Sequence, residues 1–480
     1  MTILSKLLRP LMARPAAVPA VRRFEAAAPR RWGEAPAFGR MATETALAAS
    51  AVRSRARNSY ANDPHCHAAV EAWVTALVGS GARPTSAHSD TTVRAAIGAA
   101  FEDWATDADI VGRADWWGLQ AEIARAMVLD GEAFVLLIDT PEGLRLHQIP
   151  AEQVDQNETR ELKDGAHIAS GVEFDRYGRR VAYWIRQEIP TSVLVAWAPP
   201  VRVDARDVLH VFRSMGPGQV RGLSWLAPVL FTATEVDKLQ TALLIGAQVA
   251  SMHVGWIETT KTSEELVSAG LAYEPEPVEQ LVPGTVKRLA VDEKLTTQTP
   301  PPQSQHGAAF LASHLRAIAV GVGVPAHLVS GDLSSANYSS LREDKIVFRQ
   351  RAEQIQYAVI AHQLLRPVYE RAITSMVFRG DIEAPDFESN AREWTRAEHL
   401  FPAWPWVDPG KEASARETML NLGLTSRRQV AAELGWSIEA LDAEIAADRA
   451  REVALGLSFG ATAGAAPQPA TEEPADNADA

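Results

Sequence analysis

Residues 306–378 contain two helical patterns on either side of one short polar loop, and the rest of the chain has to be arranged around that pair. In the first pattern Leu311, Leu315, Ile318 and Val322 recur at helical spacing and make one apolar face. Gly321, Gly323 and Pro325 are placed to stop it. The loop from Ser330 to Ser340 holds five serines and a single charge, Asp332. The second pattern is expected to start near Ser339 or Ser340, either of which can cap a helix, with Glu343 and Asp344 suited to its first turn. It continues for about 35 residues, long for a globular helix. Ile360, Leu364 and Val368 form its apolar stripe. Pro367 lies inside the pattern and is expected to kink it, because proline removes a backbone donor and crowds the preceding turn.

A chain of 480 residues with 46% hydrophobic content can bury a large core and hold more than one structural unit. It has no uninterrupted apolar run long enough for a membrane span. The single cysteine, Cys66, excludes an internal disulfide and suits a reducing compartment. It lies in His65-Cys66-His67, but three adjacent residues cannot readily face one metal, so no metal site is expected. Net charge is −13 and uneven: residues 1–57 carry eleven Lys or Arg against three Glu, a charge of +8, which leaves −21 for the remainder. This basic segment reads as a mobile or loosely docked arm, or as an arm that touches a neighbouring chain or nucleic acid. It lacks the apolar core of a secretory signal. The acidic body argues against a sequence-specific DNA binder, which would show a basic face. Residues 460–480, rich in Ala, Pro and Glu with four acids and no base, are expected to be disordered.

Along the chain, Asn58, Ser59 or Asn62 can open a helix that Gly79 and Gly81 close. Helices are expected over Thr91 to Thr106 and Asp115 to Asp130, then a strand over Glu132 to Ile138. Trp104, Trp116 and Trp117 are expected in the core. From Leu144 to Phe212 the pattern changes to strands. GVEFDRYGRRVAYWI (171–185) reads as a hairpin turning at Asp175-Arg176-Tyr177-Gly178, and VLHVF (208–212) as another strand. GPGQVRG (216–222) approaches a dinucleotide-binding glycine pattern, but its spacing is one residue too long and its context is wrong. A helix should run from about Ser224 to Ser251, roughly 40 Å long. Val236, Leu239, Leu243 and Ala247 form its packed face, and Ala242, Gly246, Ala247 and Ala250 permit close approach of neighbouring helices. GWIETT and VKRLAVD then read as short strands, Ser263 to Ser268 as a short helix, and YEPEPVEQLVPGT as an acidic loop. Near the C-terminus, Ser426 and Ser437 can cap two successive helices, whose acids make groove recognition of DNA unlikely on charge grounds.

Several of these segments, taken together and in order, resemble the lambda-type family of phage portal proteins. GVPAHLVSGDLSSANYSSLRED (323–344) is the central resemblance. It is joined by the VGSG closing the first helix, GVEFDRYGRRVAYWI, the GQVRG before the long helix, and WVDPGKEASA (406–415). It covers about residues 58–450. The resemblance implies an α+β portal fold. Residues 58–221 would be a wing of helices and antiparallel strands, 222–251 the first stem helix, and 252–305 a small mixed clip. Residues 306–325 would be the second stem helix, 326–341 the tunnel loop, 342–409 a long kinked wing helix and wing end, and 410–459 crown or C-terminal helices. The basic arm, 1–57, and the acidic tail, 460–480, lie outside it.

By the same resemblance, copies would form a ring, expected to be twelvefold, at one capsid vertex of a virion, assembled in the host cytoplasm. Double-stranded DNA would pass through it without sequence preference. Expected partners are the terminase large subunit, the major capsid protein and a head-tail adaptor, with no cofactor and no membrane. Gly331, Asp332, Ser334, Ser335, Asn337 and Tyr338 would line the DNA channel. Glu264, Glu265, Glu274, Glu276 and Glu279 would lie in the clip, either docking a basic partner or forming a solvated face. A loop without Lys or Arg suits sliding, since binding strength grows with the phosphates neutralised. The same polar residues could simply make a turn and a helix cap. Lys345, Arg349 and Arg351 would bridge subunits or face solvent.

No phosphate loop, nucleophile elbow, HExxH or paired CxxC is present, so the common catalytic routes are missing and no enzyme is expected. Two other classes are the alternatives: an α+β enzyme, whose obvious cluster would be Asp332, Tyr338 and Arg342, and an assembly scaffold without a channel.

Overall fold

The computed structural model describes residues 39–189, 196–251, 255–259, 268, 293–297, 304–334, 337–404 and 409–457. It begins with two helices, α1 (Met41–Asn62) and α2 (Pro64–Leu77). Asp63 separates them: its carboxylate accepts from the amides of His65 (2.8 Å) and Cys66 (3.3 Å), and Pro64 occupies the first helical position. The helix start expected at Asn58, Ser59 or Asn62 is therefore at Asp63. The segment expected to be a loose arm up to residue 57 is instead helical from Met41. That helix is docked through Thr45, Ala49, Arg53 and Ala56, all buried.

Strand β1 (Arg83–Ser86) leads into α3 (Thr91–Thr106), capped by Asp90, and α4 (Trp116–Leu129), capped by Asp115. Both helices fall where the sequence put them. Next come β2 (Glu132–Thr140), β3 (Gly143–Ile149), β4 (Arg160–Glu161), β5 (His167–Ala169), β6 (Val172–Phe174) and β7 (Arg180–Ile185). The short β8 (Glu188–Ile189) and β9 (Ala196–Trp197) pair with each other, followed by β10 (Val201–Asp204) and β11 (Val208–Phe212). The sheets are antiparallel, in the orders β11-β2-β3 and β10-β7-β6-β5-β4. The 171–185 hairpin turns as expected: the Asp175 carboxylate accepts from the amides of Tyr177 and Arg179, both at 2.8 Å.

Helix α5 (Leu230–Ser251) starts six residues later than the sequence suggested. Pro228 offers no N–H, and the chain before it closes tight turns from Ala227 N to Ser224 O and Val229 N to Leu226 O instead of helical bonds. Strand β12 (Gly255–Thr259) matches the expected GWIETT strand and pairs antiparallel with β13 (Glu293–Thr297). The expected VKRLAVD strand lies outside the described residues, as do the acidic loop and, apart from helical Ser268, the Ser263 to Ser268 helix.

Helix α6 (Ser304–Val322) buries Leu315, Ile318 and Val322, as its spacing predicts. The short α7 (Ala326–Ser330) follows, then α8 (Tyr338–Ile355), a π-helical stretch (Gln356–Leu365) and α9 (Arg366–Arg379). The disturbance expected at Pro367 takes the form of this π-helical stretch on its N-terminal side. The Arg366 amide bonds to Ala361 O, five residues back. Helix α10 (Phe387–Trp394), strand β14 (Ala397–Leu400), which pairs with β1, and helices α11 (Pro409–Asn421), α12 (Arg427–Glu433) and α13 (Ile438–Leu455) complete the order. Ser426 caps α12 by accepting from Gln429 N, whereas the Ser437 hydroxyl at the start of α13 donates to Glu439.

The main core joins α2, α4, the β11-β2-β3 sheet, the start of α5, α6 and the π-helical stretch, with Trp73, Trp104 and Trp116 buried in it. Trp117 is half-buried beside it, with the Arg83 guanidinium 4.8 Å over its ring. A smaller core, including Phe134, Ile149, Val172 and Tyr183, seals the space between the two main sheets. Long helices beside segregated antiparallel sheets make this an α+β chain, as expected.

Candidate functional site

The loop between α7 and α8 stands on a heavily tied base. The Val322 carbonyl at the end of α6 accepts from Trp73 Nε1 (3.1 Å). The next carbonyl, on Gly323, accepts from Arg351 Nη1 (2.7 Å). Gly323 turns the chain with φ +86°, a region other residues avoid. His65 Nδ1 donates to the Val329 carbonyl (2.8 Å), and its Nε2 lies 3.4 Å from Gln240 Nε2 on α5. The base is thereby held to α2, α5 and α8 at once. His65 and His67 also face different partners, His67 Nδ1 meeting the Tyr60 carbonyl at 3.2 Å. Burial pushes the Cys66 thiol between them up to about 12.

Above that base the chain becomes exposed. Gly331 ends α7 with φ +68° and has open space where a Cβ would stand. Asp332 Oδ1 accepts from Ser334 N (2.8 Å), and Asp332 N donates to Ser330 Oγ (3.2 Å). Hydrogen bonds from the Ser334 side chain and amide hold the Asp332 carboxyl below its usual range. Asn337, not Ser339 or Ser340, caps α8: its carboxamide accepts from Ser340 N (2.8 Å) while Ser340 Oγ accepts from Asn337 N (3.2 Å). Ser335 and the Tyr338 side chain lie outside the described residues, as do Glu264, Glu265, Glu274, Glu276 and Glu279. The structure thus brings Gly331, Asp332, Ser334 and Asn337 together on one exposed loop. It offers hydroxyl and amide groups, one carboxylate and no cation.

The cations that follow behave differently from expectation. Arg349 pairs with Glu353 (2.7 Å) and Arg351 is used on Gly323, so both act within the chain rather than between copies. Arg342 and Lys345 are exposed beside a groove of about 630 Å³ whose apolar walls include Ala72, Leu328 and Phe348. In the alternative cluster of Asp332, Tyr338 and Arg342, the carboxylate is fully solvated with a lowered pKa, which makes it a weak base.

A second constellation was not legible as such in the sequence. Glu132, completely buried at the start of β2, receives Arg53 Nη2 from α1 (2.8 Å), Arg221 Nη2 (2.6 Å), His210 Nε2 from β11 (3.0 Å) and the Gly222 amide (2.8 Å). Arg221 also donates to the carbonyls of Ala151 (3.0 Å), Val154 (3.2 Å) and Ser170 (2.9 Å). Burial disfavours the Glu132 charge, but Arg221 and the bonds from His210 outweigh it and hold the carboxyl below its ordinary range. Burial pushes His210 down to about 4, so it is a neutral donor to Glu132. Its ring stacks on Phe134 and Phe212, with centroids at 4.2 and 4.5 Å. A Cβ on Gly222 would collide with the Gly131 carbonyl. The glycine of GQVRG therefore serves close packing of the loop that feeds α5, not a phosphate. The hint in the sequence was a lone acid opening an otherwise apolar strand; its partners, 78 to 90 residues away, could not be read from spacing.

Comparison with known proteins gives a consistent picture. The family described as "Phage portal protein, lambda family" matches residues 29–356. A "Probable portal protein" of Halomonas phage phiHAP-1 is 25% identical over 354 residues, covering 71% of this chain and 67% of that protein. The "Portal protein" of Escherichia phage N15 is 22% identical over 412 residues, covering 77% and 76%. Among solved structures, a chain from "Virion of native gene transfer agent (GTA) particle" aligns at 15% identity and TM-score 0.45, covering 82% of this chain and 99% of that one.

Proposed function

This chain belongs to the lambda family of phage portal proteins, structural components of the virion rather than enzymes, and we propose that twelve copies of it close into a ring at one capsid vertex. The ring surrounds a channel through which double-stranded DNA is packaged and later ejected. The loop carrying Gly331, Asp332, Ser334, Ser335, Asn337 and Tyr338 faces that DNA. What carries this reading is the contrast at the loop: a polar tip without a cation stands on a base tied to three helices.

The physics of the contrast is simple. Every phosphate neutralised by a fixed cation strengthens binding and releases counterions. A passage that must let a long duplex move cannot afford such traps in series. Serine hydroxyls and an asparagine amide form weak, exchangeable bonds instead. The tied base keeps the tip in place while Gly331 gives it freedom to swing.

The acidic residues Glu264, Glu265, Glu274, Glu276 and Glu279 form a docking face for basic groups of the terminase large subunit and, later, a head-tail adaptor. The major capsid protein surrounds the ring, and assembly takes place in the host cytoplasm. Electron microscopy of the purified chain tests the reading: rings with an axial hole are expected. Compact monomers overturn it, and closed assemblies without a hole favour a scaffold.

A further inference from the structure

Helices α5 and α6 pack side by side and antiparallel, and two close approaches set their register. Leu243 Cδ2 lies 3.4 Å from the point where a Cβ on Gly307 would stand, and a Cβ on Gly321 would strike Val229. Between these points, Phe231 of α5 is level with residues 319–320 of α6, Glu235 with 315–316, Lys238 with 312–313, and Ala242 with 308–309.

Each helix also carries an exposed face that touches nothing described. On α5 it is Phe231, Glu235, Lys238 and Ala242; on α6 it is Val320, Arg316, Ser313 and Ala309. Both sets recur at alternating steps of four and three, one side of a helix. Each lies roughly 130–150° around from the stripe its helix packs inward, at about 100° per residue. Because the helices are antiparallel, the two faces look away from the pair in nearly opposite directions. Phe231 and Val320 are both 79% exposed, an uncommon cost for a large apolar side chain unless something covers it.

The faces match at equal height. Phe231 is level with Val320, the Glu235 carboxylate with the Arg316 guanidinium, Lys238 with Ser313, and Ala242 with Ala309. A rotation about one axis carries each copy onto the next without changing height along that axis. A cyclic assembly with the helix pair running near its axis therefore sets the α5 face of one copy against the α6 face of the next. An isologous dimer would instead set each face against itself, acid on acid.

We propose that the occupant of both faces is a second copy of this chain, joined head to tail through Phe231 on Val320, Glu235 on Arg316 and Ala242 on Ala309. This rests on the ring reading and assigns residues to one of its interfaces. Glu235 now contacts Lys238 of its own helix at 2.8 Å, and Arg316 Nε donates to its own Ala312 carbonyl at 3.2 Å. Both end groups are exposed and able to turn outward.

Two experiments on the full chain test it. Phe231→Cys combined with Val320→Cys, under mild oxidation, should give a disulfide ladder of dimers, trimers and higher species, because each copy offers two different ends; each single variant should give none. Cys66 is buried with its thiol pushed up to about 12, and stays silent. Separately, Glu235→Arg and Arg316→Glu should each weaken ring formation by about tenfold, and the combined reversal should restore it. A wild-type chain that forms rings, with no ladder or a link confined within one chain and no rescue by the reversal, overturns the interface and leaves the ring. A wild-type chain that forms no ring overturns the parent reading as well. If a charge variant fails to fold, as judged by circular dichroism, the cysteine pair decides alone.

Discussion

Glu132 is surrounded by two arginines, an imidazole and a backbone amide, with no water-facing side. Buried charges of this kind are held by their partners, and removing one partner leaves the others unpaired. Glu132→Gln should therefore cost about 3–5 kcal/mol of stability. Glu102→Gln, which breaks the exposed 2.9 Å pair with Arg83, should cost about 1 kcal/mol or less. Denaturant unfolding of the two variants checks the contrast. The histidines add a pH dependence. Burial lowers His210 to about 4 and His399 to about 4, with Arg366 adding to the effect on His399. Between an unfolded value of about 6.5 and that point, the unfolded chain binds protons that the folded chain refuses. Stability is thus full above the unfolded value and falls as pH drops through this window. Below it, Glu132, held ionised in the fold, continues the loss. Thermal unfolding at pH 7 and pH 4.5 should show a marked fall, reduced in His399→Gln.

At the scale of elements, what could be read in advance was whatever announces itself locally. Asp90 and Asp115 mark the starts of α3 and α4, and the turn at Asp175 marks the β6–β7 hairpin. Helix α1 escaped because its buried stripe is Thr45, Ala49, Arg53 and Ala56, which shows no apolar period. The cap of α8 was misplaced by two or three residues because serine and asparagine cap equally well, and only the reciprocal bonds with Ser340 single out Asn337. The π-helical stretch has no spacing signature; it lengthens the hydrogen-bonded turn ahead of Pro367 and shifts the face that α9 presents. Of the loop, the polar character was legible and the tied base was not, since Trp73, His65 and Arg351 reach it from distant segments. Asn337→Ala should destabilise the start of α8 by about 1 kcal/mol, seen as faster amide exchange in its first turn. Deleting Ser334 to Ala336 keeps that cap. It should leave ring assembly intact while lowering the amount of DNA packaged or retained; normal genome length and yield would contradict the assignment of the loop.

For the whole molecule, charge sets the expectation. A net charge of −13, with the basic excess confined to residues 1–57, leaves the body repelling nucleic acid on average. The free ring should bind duplex DNA weakly, and binding should fall steeply between about 50 and 200 mM salt. Fluorescence anisotropy with a labelled duplex measures this, and tight binding that survives high salt would be incompatible with a sliding contact. The Glu132 cluster also spans the chain in time. Arg53 leaves the ribosome first, Glu132 later and Arg221 last, on the order of ten seconds or more after Arg53 at ordinary rates of synthesis. Until then the first helix carries a cation with nowhere to bury it, so the newborn chain's opening segment must wait, unsealed, for a residue not yet translated.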